Sequence, residues 1–185
     1  MFPNPVLISA SRRTDIPAFF TPWFQECLRS GFCETQNPFS KKTYHVSLKQ
    51  EDVLGWIFWS RNYAPFFETL RTLHAQGQRF LCHLTITGYP RALEWHTPPT
   101  AQAIETARQI ATAFGPDVLQ WRYDPILLTS LTPPEWHLRN FEMLATALEG
   151  SVRRCIFSFP TLYRKTTRNL AQAESENNFR VWSIP

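Results

Sequence analysis

The chain has 185 residues and a formal net charge of +4, and 43% of its residues are hydrophobic while 18% are charged. These proportions exclude a disordered chain, and the length suits one domain with a sizeable core. The positive charge mildly favours an anionic ligand, such as a phosphate compound or nucleic acid, although the Lys and Arg residues form no continuous block.

The four cysteines, Cys27, Cys33, Cys82 and Cys155, form no C-x-x-C pair, which disfavours a self-contained zinc or iron–sulfur site. Cys82 and Cys155 lie inside strand-like runs, so we expect them to be small core residues. The first residues lack a basic region followed by an apolar segment, and no apolar run approaches transmembrane length. We therefore expect a cytoplasmic, reduced protein.

Apolar runs and amphipathic patterns alternate along the first half of the chain. Residues 6–10 predict a buried strand, and Thr21 and Gly31 predict the cap and the end of a following helix. Weaker strand candidates lie at 32–36 and 44–48. Residues 54–59 predict a second clear strand.

The alternation continues from the middle of the chain. Asn62 is the expected cap of a helix that ends at Gly77, and residues 80–87 predict the next strand. Thr100 is the expected cap of another helix, and residues 118–121 form the strand after it.

In the last part of the chain, Thr132 and Glu135 form an apparent capping box. The helix that it opens shows an expected apolar face of Leu138, Phe141, Leu144, Ala145 and Leu148. Residues 154–157 predict the last firm strand, and a polar helix follows from Tyr163. Residues 179–182 resemble the beginning of one more strand.

Strands that alternate with helices are typical of an α/β fold with a parallel sheet. The five firm strands predict an incomplete TIM-like (β/α) barrel, because a complete barrel needs ~250 residues. We assign residues 1–185 to this single partial domain. The chain has neither G-x-G-x-x-G after its first strand nor a P-loop motif, which disfavours a dinucleotide-binding or P-loop domain.

Polar side chains follow most of the predicted strands, and the carboxyl ends of parallel strands are where such folds bind ligands. We interpret Asp15 and Asp124 as a candidate acid–base pair. The candidate ligand-binding residues are Ser11, Arg12, Arg13, Asn37, Trp59, Arg61, Asn62, Thr87, Arg122, Tyr123 and Ser158. The arginines suit bidentate binding of a carboxylate or phosphate.

Structural alternatives stand beside each of these assignments. The arginines could pair with Asp15 and Asp124 in a structural network, and an aspartate beside an arginine more often orients it than catalyses. Asn37 and Asn62 could be turn and cap residues. Trp59 could be a core residue or a stacking platform, as could Trp121. His83 is more simply a hydrogen-bonded structural histidine.

Several motifs together resemble the family called domain of unknown function 1848. They are SASRRTDIP at 9–17, NPF at 37–39, FWSRN at 58–62, LTITGY at 84–89 and WRYDPI at 121–126. The resemblance implies a barrel similar to radical S-adenosylmethionine and DNA-repair-photolyase-like enzymes. Full-length members carry a C-terminal C-x-x-x-C-x-x-C cluster, which implies a [4Fe–4S] cluster and S-adenosylmethionine as cofactors.

This sequence departs from the family pattern in two places. It stops before the cysteine cluster, so no residue here can be assigned as a cluster ligand, and we expect a truncated chain. Pro160 and Thr161 stand where relatives tend to have an acidic residue. Three hypotheses follow: a truncated radical S-adenosylmethionine-like enzyme acting on nucleic acid or another phosphorylated substrate, a metal-independent barrel enzyme or binding module for a phosphate-bearing small molecule, and a non-functional product.

Overall fold

The structure is a computed structural model that describes residues 5–11, 14–37, 39–40, 42–161 and 163–182. Its strands and helices, in chain order, are β1 (Val6–Ser9), α1 (Ile16–Phe19), α2 (Thr21–Ser30), β2 (Phe32–Gln36), β3 (Thr43–Ser47), β4 (Val53–Ser60), α3 (Phe67–Ala75), β5 (Phe80–Thr85), α4 (Thr100–Phe114), β6 (Leu119–Tyr123), α5 (Pro134–Ala147), β7 (Cys155–Phe157) and α6 (Arg164–Asn177).

Five strands form one parallel sheet with the order β1-β4-β5-β6-β7. They are the five strands that the apolar runs predict, so the expected α/β class with a parallel sheet is confirmed. The strand expected at residues 6–10 to be buried is instead an edge strand, and it exposes Val6 (52%) and Leu7 (58%). Closure into a TIM-like barrel is not shown by this sheet and stays a prediction.

The two weaker strand candidates form a separate antiparallel hairpin. β2 pairs with β3, with Phe32 opposite Ser47 and Gln36 opposite Thr43. Asn37 makes the turn, because its Oδ1 accepts hydrogen bonds from the backbone N–H groups of Phe39 (2.9 Å) and Ser40 (3.3 Å). The expectation that Asn37 follows a strand of the parallel sheet is therefore wrong.

The segment at residues 179–182 does not add a strand to the parallel sheet. Val181 forms an isolated antiparallel bridge with Thr129, and the Trp182 N–H donates to the Leu128 carbonyl (2.9 Å). The strand expected there is corrected to an extended segment that pairs with the loop after β6. Its alternation of apolar and polar residues fits such a pairing as well as it fits a strand.

Helix α5 buries only part of the expected face. Leu144 and Leu148 are fully buried as predicted, but Leu138 is 72% exposed, and His137 and Asn140 are buried in addition. The expected capping box is also wrong. The helix begins after Pro133 with no side-chain cap, because the Thr132 hydroxyl donates to the Leu127 carbonyl (2.8 Å).

The chain divides into two compact units, residues 1–83 and 84–185. In the first unit, Phe24 of α2 packs edge-on against Trp56 and Phe58 of β4, with ring centroids 5.4 and 5.6 Å apart. Such edge-to-face pairs stabilise a core beyond the area that they bury. Phe58 also contacts Phe66, so that one aromatic cluster holds α2 on the sheet.

Among the described residues, no helix is both long and apolar enough to cross a lipid bilayer. The cytoplasmic location stays a prediction.

Candidate functional site

Polar side chains gather after strands in each unit, and we name two groups. The Asp15 cluster, in the first unit, consists of Asp15, Ser60, Arg61 and Asn62. The Asp124 cluster, in the second unit, consists of Arg122, Asp124 and Ser158. The structure thus brings together six of the candidate residues in two sets, with Ser60 as an additional member that was not among them. Arg12 and Arg13 lie outside the described residues, and their assignment stays a prediction.

The Asp15 cluster ties the end of β4 to the segment after β1. Asp15 Oδ1 accepts from the Ala18 N–H (3.0 Å) and caps α1. Its Oδ2 accepts from the Ser60 hydroxyl (3.0 Å) and the Arg61 N–H (3.4 Å). A carboxylate with three such donors is fixed in place, which favours a structural role for Asp15 over acid–base chemistry.

Two further candidates of the first unit continue this arrangement. The Asn62 N–H donates to the Ser60 Oγ (2.9 Å), and Asn62 Oδ1 accepts from the Ala64 N–H (3.1 Å) at the start of the next helical turn. Asn62 therefore makes a turn before the helical turn, as the structural alternative proposes. The expectation that it caps the helix ending at Gly77 is wrong, because α3 begins after Phe66 with no side-chain cap. The Ser11 hydroxyl is buried and has no hydrogen-bond partner within the described part of the chain.

Trp59 lies one residue before this cluster and stacks on a histidine. Its ring centroid is 4.4 Å from that of His83, with an interplanar angle of 22°. Trp59 is 37% exposed, whereas His83 is buried. His83 thus covers one face of the Trp59 indole, and contact of Trp59 with a ligand stays a prediction.

The Asp124 cluster joins the ends of β6 and β7. The Asp124 carboxylate forms an ion pair with Arg122 and accepts a hydrogen bond from the Ser158 hydroxyl. The Arg122 and Asp124 side chains are 18% and 16% exposed. The Ile126 N–H donates to the Ser158 carbonyl (2.7 Å), which holds the two strand ends in register. A charge pair with this little exposure is costly unless it is well bonded.

A buried network, which we name the Tyr123 network, supports the loop after β6. It consists of Tyr123, His137, Asn140 and Thr87. His137 Nε2 lies 3.1 Å from the Leu127 carbonyl, and its Nδ1 lies 2.8 Å from the Tyr123 hydroxyl. Asn140 Nδ2 donates to the Thr87 carbonyl (2.7 Å) and to the Tyr123 hydroxyl oxygen (3.0 Å).

The carbonyls fix the direction of every hydrogen bond in the Tyr123 network. The Leu127 carbonyl can only accept, so His137 Nε2 carries the proton and Nδ1 accepts from the Tyr123 hydroxyl. Burial lowers the pKa of His137, against the opposing effect of its bond to Leu127. Burial also raises the pKa of Tyr123. Both shifts favour the neutral groups that this network requires.

Thr87 and Tyr123 are therefore supports of the loop in this structure. Both are buried, and the Thr87 hydroxyl donates to Glu94 Oε2 (2.7 Å). Trp121 is a core residue, because its Nε1 donates to the Ile86 carbonyl (2.9 Å) and its ring stacks on Phe141. Ligand contact by Thr87 or Tyr123 stays a prediction.

Sequence reasoning missed His137 and Asn140. Their spacing could have indicated that they lie on the buried helix face, because His137, Asn140 and Leu144 stand at positions i, i+3 and i+7. Tyr89 was also missed as a clamp of the same loop. Its hydroxyl donates to the Pro125 carbonyl (2.8 Å) and accepts from the Leu127 N–H (2.7 Å).

A comparison with protein families identifies this arrangement of motifs. The family described as Domain of unknown function (DUF1848) matches residues 7–182. The chain belongs to the DUF1848 family. The curated proteins and the solved structures contain no match to it. The family assignment made from the motifs is confirmed, and its description names no reaction.

The described residues contain no ligand set for the iron–sulfur cluster that the family resemblance implies. Within the described ranges, no three His, Cys, Asp or Glu residues lie together in a way that could hold a metal ion. Cys27 and Cys82 are buried, and burial raises the pKa of both thiols, which disfavours the thiolate that a metal needs. The cluster and S-adenosylmethionine stay predictions for relatives that carry the additional cysteines, and we derive no step through them.

Proposed function

We propose that this DUF1848 protein binds a small ligand through a carboxylate or phosphate group at the Asp124 cluster. The observation that carries the proposal is the bridging of Arg122 and Ser158 by one carboxylate at the ends of two adjacent parallel strands. Parallel sheets bind their ligands at these strand ends.

Arg122 is the anion-binding group in this proposal. The guanidinium of Arg122 is a permanent positive charge whose N–H donors lie in a planar fork, which suits a carboxylate or phosphate that binds beside Asp124. Asp124 fixes the plane of the fork, and the Tyr123 network fixes the loop that begins with Asp124. The net charge of +4 adds a weak attraction for anions.

The test uses isothermal titration of the whole chain with inorganic phosphate and, as a carboxylate, citrate. Arg122→Lys keeps the positive charge and removes the fork, so we expect binding to weaken by roughly tenfold or more. Arg153→Lys is the matched control in the same unit, because Arg153 pairs with Asp117 and is 71% exposed. We expect it to bind as the wild type does.

Raising the salt concentration should weaken the binding in every variant that retains it. Equal affinity of the two lysine variants, at equal thermal stability, would remove Arg122 from the site. A wild-type chain that binds neither anion would remove the proposal.

The finer expectations from the family resemblance are separate proposals. Five parallel strands with intervening helices are what part of a (β/α) barrel contains, which supports a barrel for the family. Radical S-adenosylmethionine chemistry is proposed only for relatives with the cysteine cluster. Iron and sulfide content after anaerobic reconstitution of such a relative tests it, and an iron-free, colourless protein would end it.

A further inference from the structure

Strand β6 has two different faces, and its polar residues lie on the face away from α5. Trp121 and Tyr123 are buried, and their rings contact Phe141 of α5. Since successive side chains of a strand point to opposite sides, Gln120 and Arg122 lie on the other face of the sheet. Both are half-buried, so this face is partly accessible to solvent. The face that carries Arg122 therefore continues along β6 towards the start of the strand.

The strands on each side of β6 add one residue to this face at the level of Arg122. The Ile86 N–H donates to the Arg122 carbonyl (3.1 Å), which places Thr85 of β5 beside Arg122 in a parallel ladder. On the other side, Ile156 of β7 is the partner of Arg122 in the register. A hydroxyl, a guanidinium and an apolar side chain thus form one row, with neighbouring strands about 5 Å apart.

Thr85 and Gln120 are neutral polar groups that have no protein partner. Within the described part of the chain, neither side chain makes a hydrogen bond. Both are half-buried, so water solvates neither of them fully. Polar groups that are partly withdrawn from water are normally bonded to protein, to ordered water or to a ligand. A hydroxyl and a primary amide each offer donors and acceptors, which suits a ligand that carries hydroxyl groups.

The charges on this face of β6 are confined to the end of the strand, where Arg122 pairs with Asp124. Arg154 stands beside Gln120 in the register, but it lines a groove together with Trp121, on the α5 side of the sheet. Before Arg122, the described residues of β6 offer this face a neutral amide and no charge. A ligand that extends from Arg122 along β6 therefore meets neutral hydrogen-bonding groups.

We propose that Thr85 and Gln120 extend the anion site and select a polyhydroxylated anion, either a sugar phosphate or a sugar acid. The anionic group binds Arg122, and hydroxyl groups of the same ligand bind Gln120 and Thr85. Residues two apart on a strand are about 7 Å from each other, which is the scale of a small sugar. Ile156 contacts the carbon skeleton. This inference rests on the proposed binding of an anion at the Asp124 cluster.

Isothermal titration of the whole chain with two matched pairs of probes tests the preference for hydroxyl groups. Ribose 5-phosphate is compared with pentyl phosphate, and gluconate is compared with hexanoate. We expect the hydroxylated member of at least one pair to bind about fivefold more tightly than its partner, since each new hydrogen bond contributes roughly 1 kcal/mol. The pair that shows the preference identifies the anionic group as a phosphate or a carboxylate.

Two substitutions locate the preference. Gln120→Leu and Thr85→Val retain the approximate shape of the side chains and remove their hydrogen-bonding groups. Each should reduce the preference by about threefold or more and leave the affinity for the alkyl probe unchanged. Gln109→Leu is the matched control, because Gln109 is exposed on α4 and bonded to Glu105 (3.2 Å), and it should preserve the preference.

The outcomes separate this inference from the proposed anion site. Equal affinities within both pairs, with measurable binding, would overturn the inference and retain the anion site. A preference that persists in both Gln120→Leu and Thr85→Val, at the thermal stability of the wild type, would also overturn it. A wild-type chain that binds none of the four probes and no inorganic phosphate would remove the anion site and the inference together.

Discussion

The Asp15 and Asp124 clusters have a similar arrangement of aspartate and serine, but the other partners of the aspartate differ. In each, an aspartate that follows a parallel strand accepts a hydrogen bond from a serine at or beyond the end of the neighbouring strand. Asp15 is otherwise held by backbone N–H groups, whereas Asp124 is paired with a guanidinium. Backbone donors cannot leave without unfolding a turn, whereas a guanidinium is a group that binds anions. The comparison supports a structural role for Asp15, and the role of Asp124 in ligand binding stays a proposal.

Asp15→Ala should have the largest effect on stability of the substitutions that test this comparison. The substitution removes the cap of α1 and leaves the Arg61 N–H without its acceptor, while the Ser60 hydroxyl keeps only the Asn62 carbonyl. We therefore expect the free energy of unfolding to fall by ~2 kcal/mol. Urea unfolding measures the loss. Phosphate affinity at the second cluster should not change in the folded fraction. An unaltered stability would contradict the structural role of Asp15.

The second test concerns the close approach of Gly88 to the Tyr123 network. Gly88 has φ = +64°, and a Cβ there would lie 2.8 Å from Asn140 Oδ1. Gly88→Ala should therefore lower the free energy of unfolding by ~2–3 kcal/mol, through backbone strain and displacement of Asn140. It should also weaken phosphate binding.

Gly77→Ala is the matched control. Gly77 has φ = +73°, and nothing lies within 4 Å of its Cβ position. Gly77→Ala should lower the free energy of unfolding by ~1 kcal/mol, through backbone strain alone. Equal losses in the two variants, measured by urea unfolding, would mean that Asn140 does not hold the loop.

The two serines test the same comparison with a smaller effect. Ser60 is buried and bonded to Asp15 and Asn62, so Ser60→Ala should cost ~1–2 kcal/mol. Ser158 is exposed, and Ser158→Ala should cost less than ~0.5 kcal/mol while it weakens anion binding. Thermal unfolding and phosphate titration of both variants measure the two effects. A larger loss of stability in Ser158→Ala than in Ser60→Ala would contradict the comparison.

The smallest effect is a pH dependence from His137. Its pKa is lowered in the folded state, so the unfolded chain binds more protons below its ordinary value of ~6.5. The contribution of His137 to stability should be complete above ~6.5 and decline as the pH falls towards the lowered folded-state pKa. Urea unfolding between pH 5.5 and 8 measures it. His137→Gln should flatten the profile in this window, and an unchanged slope would assign it to other groups.

The sequence predicts the positions of the five strands of the parallel sheet because each contains a short run of residues with high strand propensity, but it does not show that β1 is an exposed edge strand. The sequence also predicts where two helices end, since Gly31 and Gly77 follow α2 and α3 with positive φ as expected. It fails on the face of α5, because His137 and Asn140 are polar and their burial depends on partners from β6 and the Thr87 loop. Local propensity carries no information about such partners.

The site was predicted in part for a similar reason. The rule that ligands bind at strand ends selected Arg122, Asp124 and Ser158, and the structure groups these three side chains. Their binding of a ligand stays a prediction. The structural roles of Asp15, Asn37 and Asn62 were left open, because a carboxylate or amide that caps a turn has the same sequence pattern as one that binds a ligand. Only the backbone N–H groups in the structure distinguish the two.

The pairing of residues 180–182 with the loop after β6 has a consequence for the order of folding during synthesis. The Arg180 N–H donates to the Ser130 hydroxyl across 50 residues of sequence. The first unit makes its internal contacts within residues 1–83, so it can fold while the ribosome is still producing the rest. The loop that carries Asp124 acquires these bonds only after residue 182 has emerged, so the proposed anion site is completed later than the first unit.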